Sequence, residues 1–250
     1  MSNQEQDIKE MLDVLGLTES SQKFDQMLGD PSLGSYSPVQ FLREVLQPQY
    51  ESVLNSQFTN RIAKSCLLET GARVENLKTG NGRIYNATTV QQILSFRFAE
   101  DHRNVGVYGA AGVGKSYFLA AVCVEACRRN YSCRFVDYCD LLDELITLDK
   151  DNDKTKYRKK LRYYARYDLL FIDDFGISRY NEEGMKILYH LIKTRNDLHK
   201  SILFSSQYSP DEWDKCLGMD GTCYGKVGSI RSKLAVGGST LVIERAKTKK

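Results

Sequence analysis

The chain has 250 residues, 42% of them hydrophobic and 27% charged, with a net charge of +3. That composition belongs to a folded chain with room for a sizeable core, and it excludes wholesale disorder, a collagen-like repeat and a disulfide scaffold. No run reaches 18 uninterrupted apolar residues and the opening MSNQEQDIKE is polar, so neither a membrane span nor a secretory leader is expected, and the cytoplasm is the expected location.

Charge is spread unevenly: residues 1–85 carry 8 Lys+Arg against 11 Asp+Glu, which leaves 27 against 21 for residues 86–250. This bias permits a polyanionic partner without requiring one. Seven cysteines (Cys66, Cys123, Cys127, Cys133, Cys139, Cys216 and Cys223) include no CxxC pair, and the three histidines form no HExxH. The cysteines therefore read as reduced packing residues, and no Cys/His metal site is expected.

The first third of the chain reads as helical. A short helix ends near Met27, and Gly29-Asp30-Pro31 and Gly34-Ser35 mark loops. Ser37-Pro38 is a helix start, with Ser37 as cap and Pro38 in the first helical position. Val39, Leu42, Val45 and Leu46 follow at helical spacing, Val53, Leu54 and Phe58 continue past Pro48, and Ile62, Cys66 and Leu67 extend the stripe. The breaker-rich run Lys78–Arg83 separates this helical domain, residues 1–80, from a larger one, residues 81–250. A small helical unit of this kind suits packing or self-association.

Downstream, strand candidates Val105–Tyr108, Cys133–Asp137, Leu169–Ile172, Ile202–Ser205 and Thr240–Glu244 alternate with helix candidates Lys115–Asn130, Asp140–Leu148, Thr155–Arg166 and Glu182–Asp197. Such alternation predicts an α/β domain, a five-stranded and largely parallel sheet with helices on both faces. Ligands bind such sheets beyond the carboxyl ends of the strands. There the chemistry-bearing residues fall.

Gly109-Ala110-Ala111-Gly112-Val113-Gly114-Lys115-Ser116 fits G-x-x-x-x-G-K-[ST] between a strand and a helix, the context a P-loop requires. Its glycines let backbone N–H groups wrap phosphate oxygens at a helix N-terminus. Lys115 reaches the β- and γ-phosphates, Ser116 binds Mg²⁺, and Tyr117 completes the ATP-binding segment. In Leu169-Leu170-Phe171-Ile172-Asp173-Asp174 an apolar strand delivers two carboxylates: Asp173 as the Walker-B Mg²⁺ ligand, Asp174 as the residue that orients and polarises water, where glutamate is more usual. Gln207, at the end of Ile202-Leu203-Phe204-Ser205-Ser206, is placed to sense the γ-phosphate or to position water, or else simply begins a loop.

Beyond the P-loop, several segments carry a family resemblance. They are the helical entry Tyr36–Arg61 with Phe41-Leu42, Ala126-Cys127-Arg128-Arg129-Asn130-Tyr131 leading into Arg134-Phe135-Val136, Tyr167-Asp168-Leu169-Leu170-Phe171-Ile172-Asp173-Asp174-Phe175-Gly176, and Ser201–Gln207 followed by Trp213. In these the chain resembles the IstB-like ATP-binding proteins, transposition helpers of insertion sequences and close kin of DnaC-type helicase loaders. The resemblance is strongest over residues 104–215 and implies an AAA+ ATPase core behind a helical domain, without a C-terminal lid. It further implies a homo-oligomer with ATP sites at subunit boundaries, which assembles on duplex DNA and presents it to a transposase. The alternative within the same resemblance is a helicase loader, and a nucleotide-operated switch without DNA is a third reading.

An AAA+ site is completed across the subunit boundary by an arginine finger. In Gly228-Ser229-Ile230-Arg231-Ser232-Lys233-Leu234 the family's usual arginine position holds Lys233, and Arg231 lies two residues earlier. A lysine lacks the guanidinium fork, so Arg231 is the preferred finger, with Lys233 or plain surface charge as alternatives. Arg195 also matches a family arginine; it either faces a neighbouring subunit or balances the end of its helix.

Lys154–Arg166 carries seven cations and no acids. As a helix it lines Lys156, Lys159, Lys160 and Arg162 along one side and turns Leu161, Tyr164 and Ala165 towards the sheet. The four cations are candidate contacts to DNA phosphates, independent of sequence. The bland alternative is a solvated face, diluted by Asp149, Asp151 and Asp153.

Overall fold

The computed structural model describes residues 2–77, 83–150, 154–218, 224–235 and 238–245. Residues 78–82, where the sequence places its domain boundary, lie outside these, as do Asp151, Asp153 and Cys223. The chain separates into two compact units, Met1–Asn60 and Arg61–Lys250.

The smaller unit contains α1 (Asn3–Val14), α2 (Thr18–Leu28) and most of α3 (Pro38–Ser65). Local chemistry sets the helix starts. The Ser2 hydroxyl and the Glu5 carboxylate cap α1 reciprocally, and Ser37 with Gln40 does the same for α3: Gln40 N–H donates to Ser37 Oγ at 3.3 Å while Ser37 N–H donates to Gln40 Oε1 at 2.9 Å. Phe24, Met27 and Val45 form a small core, with Phe41 edge-on to Phe24 at 6.0 Å. Of the stripe Val39, Leu42, Val45 and Leu46, only Val45 is buried, and Val39 is 78% exposed. At its far end α3 stops at Ser65, and Cys66, at φ 56°, turns the chain out of the helix.

In the larger unit a six-stranded sheet has the order β1-β6-β2-β5-β4-β3. The strands are β1 (Arg83–Tyr85), β2 (Val105–Tyr108), β3 (Cys133–Asp137), β4 (Leu169–Asp173), β5 (Ser201–Ser206) and β6 (Ser239–Arg245). Strands β2 to β6 are mutually parallel, with Val105 opposite Leu203 and Ser239, and Phe171 opposite Leu203 and Phe135. The expected five-stranded parallel sheet is therefore present. It is extended by β1, which pairs antiparallel with β6 and is too short to leave a period in the sequence.

Continuous apolar runs suit strands covered on both faces. All of β2 and β5 is buried, as are the first four residues of β4. Leu170, Ile172, Ile202 and Phe204 join a core built with α7 (Tyr138–Lys150), α8 (Lys154–Arg166), α9 (Glu182–Asp197) and α11 (Tyr224–Leu234). Alternate residues such as Phe171 and Leu203 are equally buried, and α6 (Lys115–Arg128) packs against β2, β3, β4 and β5. Trp213, on the short α10 (Trp213–Cys216), is fully buried against Phe175 at 5.1 Å and Phe204 at 5.7 Å. Ala87–Leu94 (α4) and Arg97–Glu100 (α5) precede β2.

Candidate functional site

Strand β2 ends at Tyr108 and the chain enters a loop that only glycines can make. Gly109 runs so close to β6 that a Cβ on it would meet the Ile243 carbonyl oxygen at 2.3 Å, and Gly112 and Gly114 hold φ values of 73° and 98°. The loop opens directly into α6, whose first residue is Lys115. Free N–H groups of a helix N-terminus thus stand at the carboxyl end of a buried strand, a cradle shaped for phosphate oxygens. Gly109, Ala110, Ala111, Gly112, Val113 and Gly114 form this turn; Val113 is buried and anchors it, while Ala110, Ala111, Gly112 and Ser116 are exposed. Tyr117 is half-buried, its hydroxyl accepting from Arg73 N–H at 3.3 Å.

Lys115 is buried, and its ammonium donates to the Ala110 carbonyl at 3.0 Å. Burial lowers its pKa, opposed by the charges of Asp174 and Asp173. The lysine therefore lies in the field of both carboxylates that β4 delivers, and three residues from two motifs meet at one point. Asp174 adopts a left-handed backbone at φ 51°, a conformation short polar side chains tolerate. Burial, then the adjacent Asp173 charge, raises its pKa.

The link between the two acids is a residue the sequence did not single out. The Ser205 hydroxyl, fully buried in β5, donates to Asp173 Oδ1 and accepts from Asp174 N–H at 2.9 Å. In an apolar run this serine reads as strand filler; only the parallel register of β4 and β5 brings it to the acids. Gln207 follows β5 directly and is exposed. Arg245, the last residue of β6, is a second unforeseen neighbour: it donates to the Ala111 carbonyl at 3.4 Å and its guanidinium lies beside Gly112. A cavity of about 710 Å³ opens beside Ser116 and Asp173 and extends past Asp137 and Arg134 to Lys160.

The other predicted cations stand apart from this cluster. Arg231 lies on α11 and pairs with Asp214 of α10 at 2.5 Å. Lys233 turns to α9, its ammonium 6.0 Å from the Tyr189 ring centre. Arg195 does not face outward. It is fully buried, and its two terminal nitrogens donate to the carbonyls of Tyr164, Ala165, Tyr167, Asp168 and Ser201. The outward-facing reading is thereby corrected: Arg195 is the basic residue of the last turn of α9, and its guanidinium clamps the end of α8 to the starts of β4 and β5.

On α8, Lys156, Lys159 and Arg162 are exposed, while Tyr164 and Ala165 are buried as the helical spacing requires. Lys160 departs from the expected row: it pairs with Glu144 of α7 at 2.5 Å and lies 4.9 Å from the Tyr163 ring centre. No helix among the described residues is long and apolar enough to cross a membrane.

The fold recurs in solved structures of DnaI (19% identity, 70% of this chain and 92% of that one, TM-score 0.58) and the DnaC helicase loader (20%, 69% and 97%, 0.53). In sequence, an ATP-binding protein of insertion sequence IS232 from Bacillus thuringiensis is 30% identical over 128 residues, half the length of either chain. A Sinorhizobium fredii insertion-sequence ATP-binding protein is 22% identical over 83% of this chain and 82% of its own. The family described as IstB-like ATP binding protein matches residues 12–223. With the P-loop cradle, the paired acids and that match together, the chain belongs to the IstB-like ATP-binding protein family.

Proposed function

We propose that this protein is a Mg²⁺-dependent ATPase that assembles on duplex DNA and assists a transposase in capturing its target. The observation that carries the nucleotide half is the convergence of the glycine cradle, Lys115 and the Asp173–Asp174 pair at the carboxyl end of the sheet. A triphosphate fits there because the glycines let the backbone close around it and the loop presents backbone donors with one buried cation. Ser116 and Asp173 would hold Mg²⁺, which neutralises charge on the phosphates when bound.

The chain's own residues divide the work. Lys115 draws the terminal phosphates towards the sheet. Ser205 holds the Asp173 carboxylate in place and, through the Asp174 N–H, sets the turn from which Asp174 addresses the attacking water. Gln207 reads the far side of the terminal phosphate. Arg245 adds a positive charge over the loop. Arg231 serves the neighbouring protomer's site as the trans finger, for which it must exchange Asp214 for phosphate. The exposed cations Lys156, Lys159 and Arg162 give α8 its attraction for DNA backbone.

Calorimetry with ATP and Mg²⁺, followed by hydrolysis assays with duplex, single-stranded and no DNA, tests this reading. Binding of about one nucleotide per chain and stimulation by duplex are expected. Heat-silent titrations would reject the ATPase, stimulation by single strands alone would favour a helicase loader, and indifference to any DNA would leave a nucleotide switch.

A further inference from the structure

Away from the nucleotide site, three thiols meet in the interior. Cys123 and Cys127 lie one turn apart on α6, and Cys133 is the first residue of β3. All three are free and buried, and their sulfurs lie within 4.8 Å of one another. The spacing Cx3Cx5C carries no signal in sequence. It becomes a constellation because α6 places residues four apart on one face and the short turn after Arg128 brings the chain back along the helix. Cys127 is in hydrogen-bonding reach of both other sulfurs, the buried Ser65 hydroxyl lies beside Cys123, and the positive charge of Arg61 reaches Cys127.

We propose that Cys123, Cys127 and Cys133 form a three-sulfur site for one divalent thiophilic cation of closed d shell, the class of Zn²⁺ and Cd²⁺. Geometry supports it. A cation bound at about 2.3 Å to three coplanar sulfurs sets them about 4.0 Å apart, so closure from the observed spacing needs movement of less than about 1 Å. Donor chemistry supports it too, since an all-sulfur set in a site without carboxylates selects soft cations over Mg²⁺ or Ca²⁺. Charge is manageable: three thiols release three protons on binding a dication, which leaves the site at −1 with Arg61 nearby. A bound ion would tie the second half of α6, the helix that begins with Lys115, to the start of β3.

The test is titration of the reduced full-length chain with Cd²⁺ alone, without nucleotide, so that its outcome is independent of the ATPase reading. The ultraviolet thiolate-to-cadmium band should saturate at one ion per chain and the melting temperature should rise. Cys133→Ser and Cys127→Ser should each abolish the band and weaken affinity by more than the roughly 10–100-fold that outer-shell changes cost. Cys66→Ser and Cys139→Ser should keep both. Should the core variants fail to fold, cadmium NMR of the wild-type chain counts the sulfur ligands directly, with three expected. A wild-type chain showing neither band nor melting shift, a band that survives Cys133→Ser, or a resonance reporting fewer than three sulfurs overturns the proposal.

Discussion

Strands β4 and β5 hold buried charge at both ends, and the two ends are handled in opposite ways. At their amino ends the Arg195 guanidinium is spent on five backbone carbonyls. At their carboxyl ends Lys115 has one carbonyl, and one serine hydroxyl serves the Asp173 carboxylate and the Asp174 backbone N–H. A charge surrounded by acceptors is part of the scaffold. Like charges held side by side, with the Asp174 pKa raised by burial and by Asp173 and the nearby Lys115 pKa lowered by burial, suit a site that receives a ligand. The contrast assigns structure to one end and chemistry to the other without reference to any relative.

The sharpest way to break that contrast is at Arg195. Arg195→Met should destabilise the chain by about 4 kcal/mol, because buried carbonyls lose their donors. Denaturant midpoints measure it. If stability holds while assembly-dependent hydrolysis disappears, Arg195 is a working charge after all and the two ends are alike.

Next come the functional residues at the other end. Lys115→Ala should cut turnover by about 10²–10³-fold, as loss of a preorganised charge does. Asp174→Asn should slow hydrolysis by about 100-fold with nucleotide still bound, and it should also raise the melting temperature at neutral pH. The sign follows from the raised pKa. The folded chain holds that proton more tightly than the unfolded chain, whose value is 3.8. Stability is therefore lost as pH rises from there through the folded pKa, and asparagine escapes the loss. A melting temperature that drops at pH 7 but not at pH 4 would show the carboxylate to be stabilising, against the contrast drawn above. Ser205→Ala is milder, about 1–2 kcal/mol, since one buried N–H and one carboxylate lose a single partner each. Slower turnover with unchanged nucleotide affinity should accompany it.

What the sequence made legible follows the same division. Buried parallel strands announce themselves as apolar runs, so β2 through β6 and the helices α6 to α9 could be read, and the P-loop and Asp173-Asp174 fell at strand ends where ligands bind. Elements defined by their partners could not. β1 exists because β6 offers an edge, and α11, whose core residues Val227, Ile230 and Leu234 keep helical spacing, is masked by Gly225, Gly228 and Ser229 among them. Side chains whose role depends on direction were equally hidden. An arginine near the end of α9 looks the same whether it faces solvent or the sheet, and Ser205 gains its role only from register with β4. The apolar stripe on α3 misled for a related reason, because period identifies a face but not whether anything covers it.

The smallest effects belong to α8, where charges are exposed and each one counts for little in stability. Exposed cations act through released counterions, so their signature is the salt dependence of DNA binding rather than a melting temperature. Lys159→Glu with Arg162→Glu should lower the slope of log affinity against log salt by roughly one per lost phosphate contact. Lys160→Glu serves as the internal control. Its ammonium is engaged with Glu144 and the Tyr163 ring, so reversal should cost under about 1 kcal/mol of stability and leave the slope nearly unchanged. The exposed row and the paired lysine sit on one helix a turn or less apart, so distance cannot explain a difference between them. An equal slope change for both would mean that Lys160 leaves Glu144 to reach DNA, and that pairing on this surface does not mark a charge as structural in the way that burial does at Arg195.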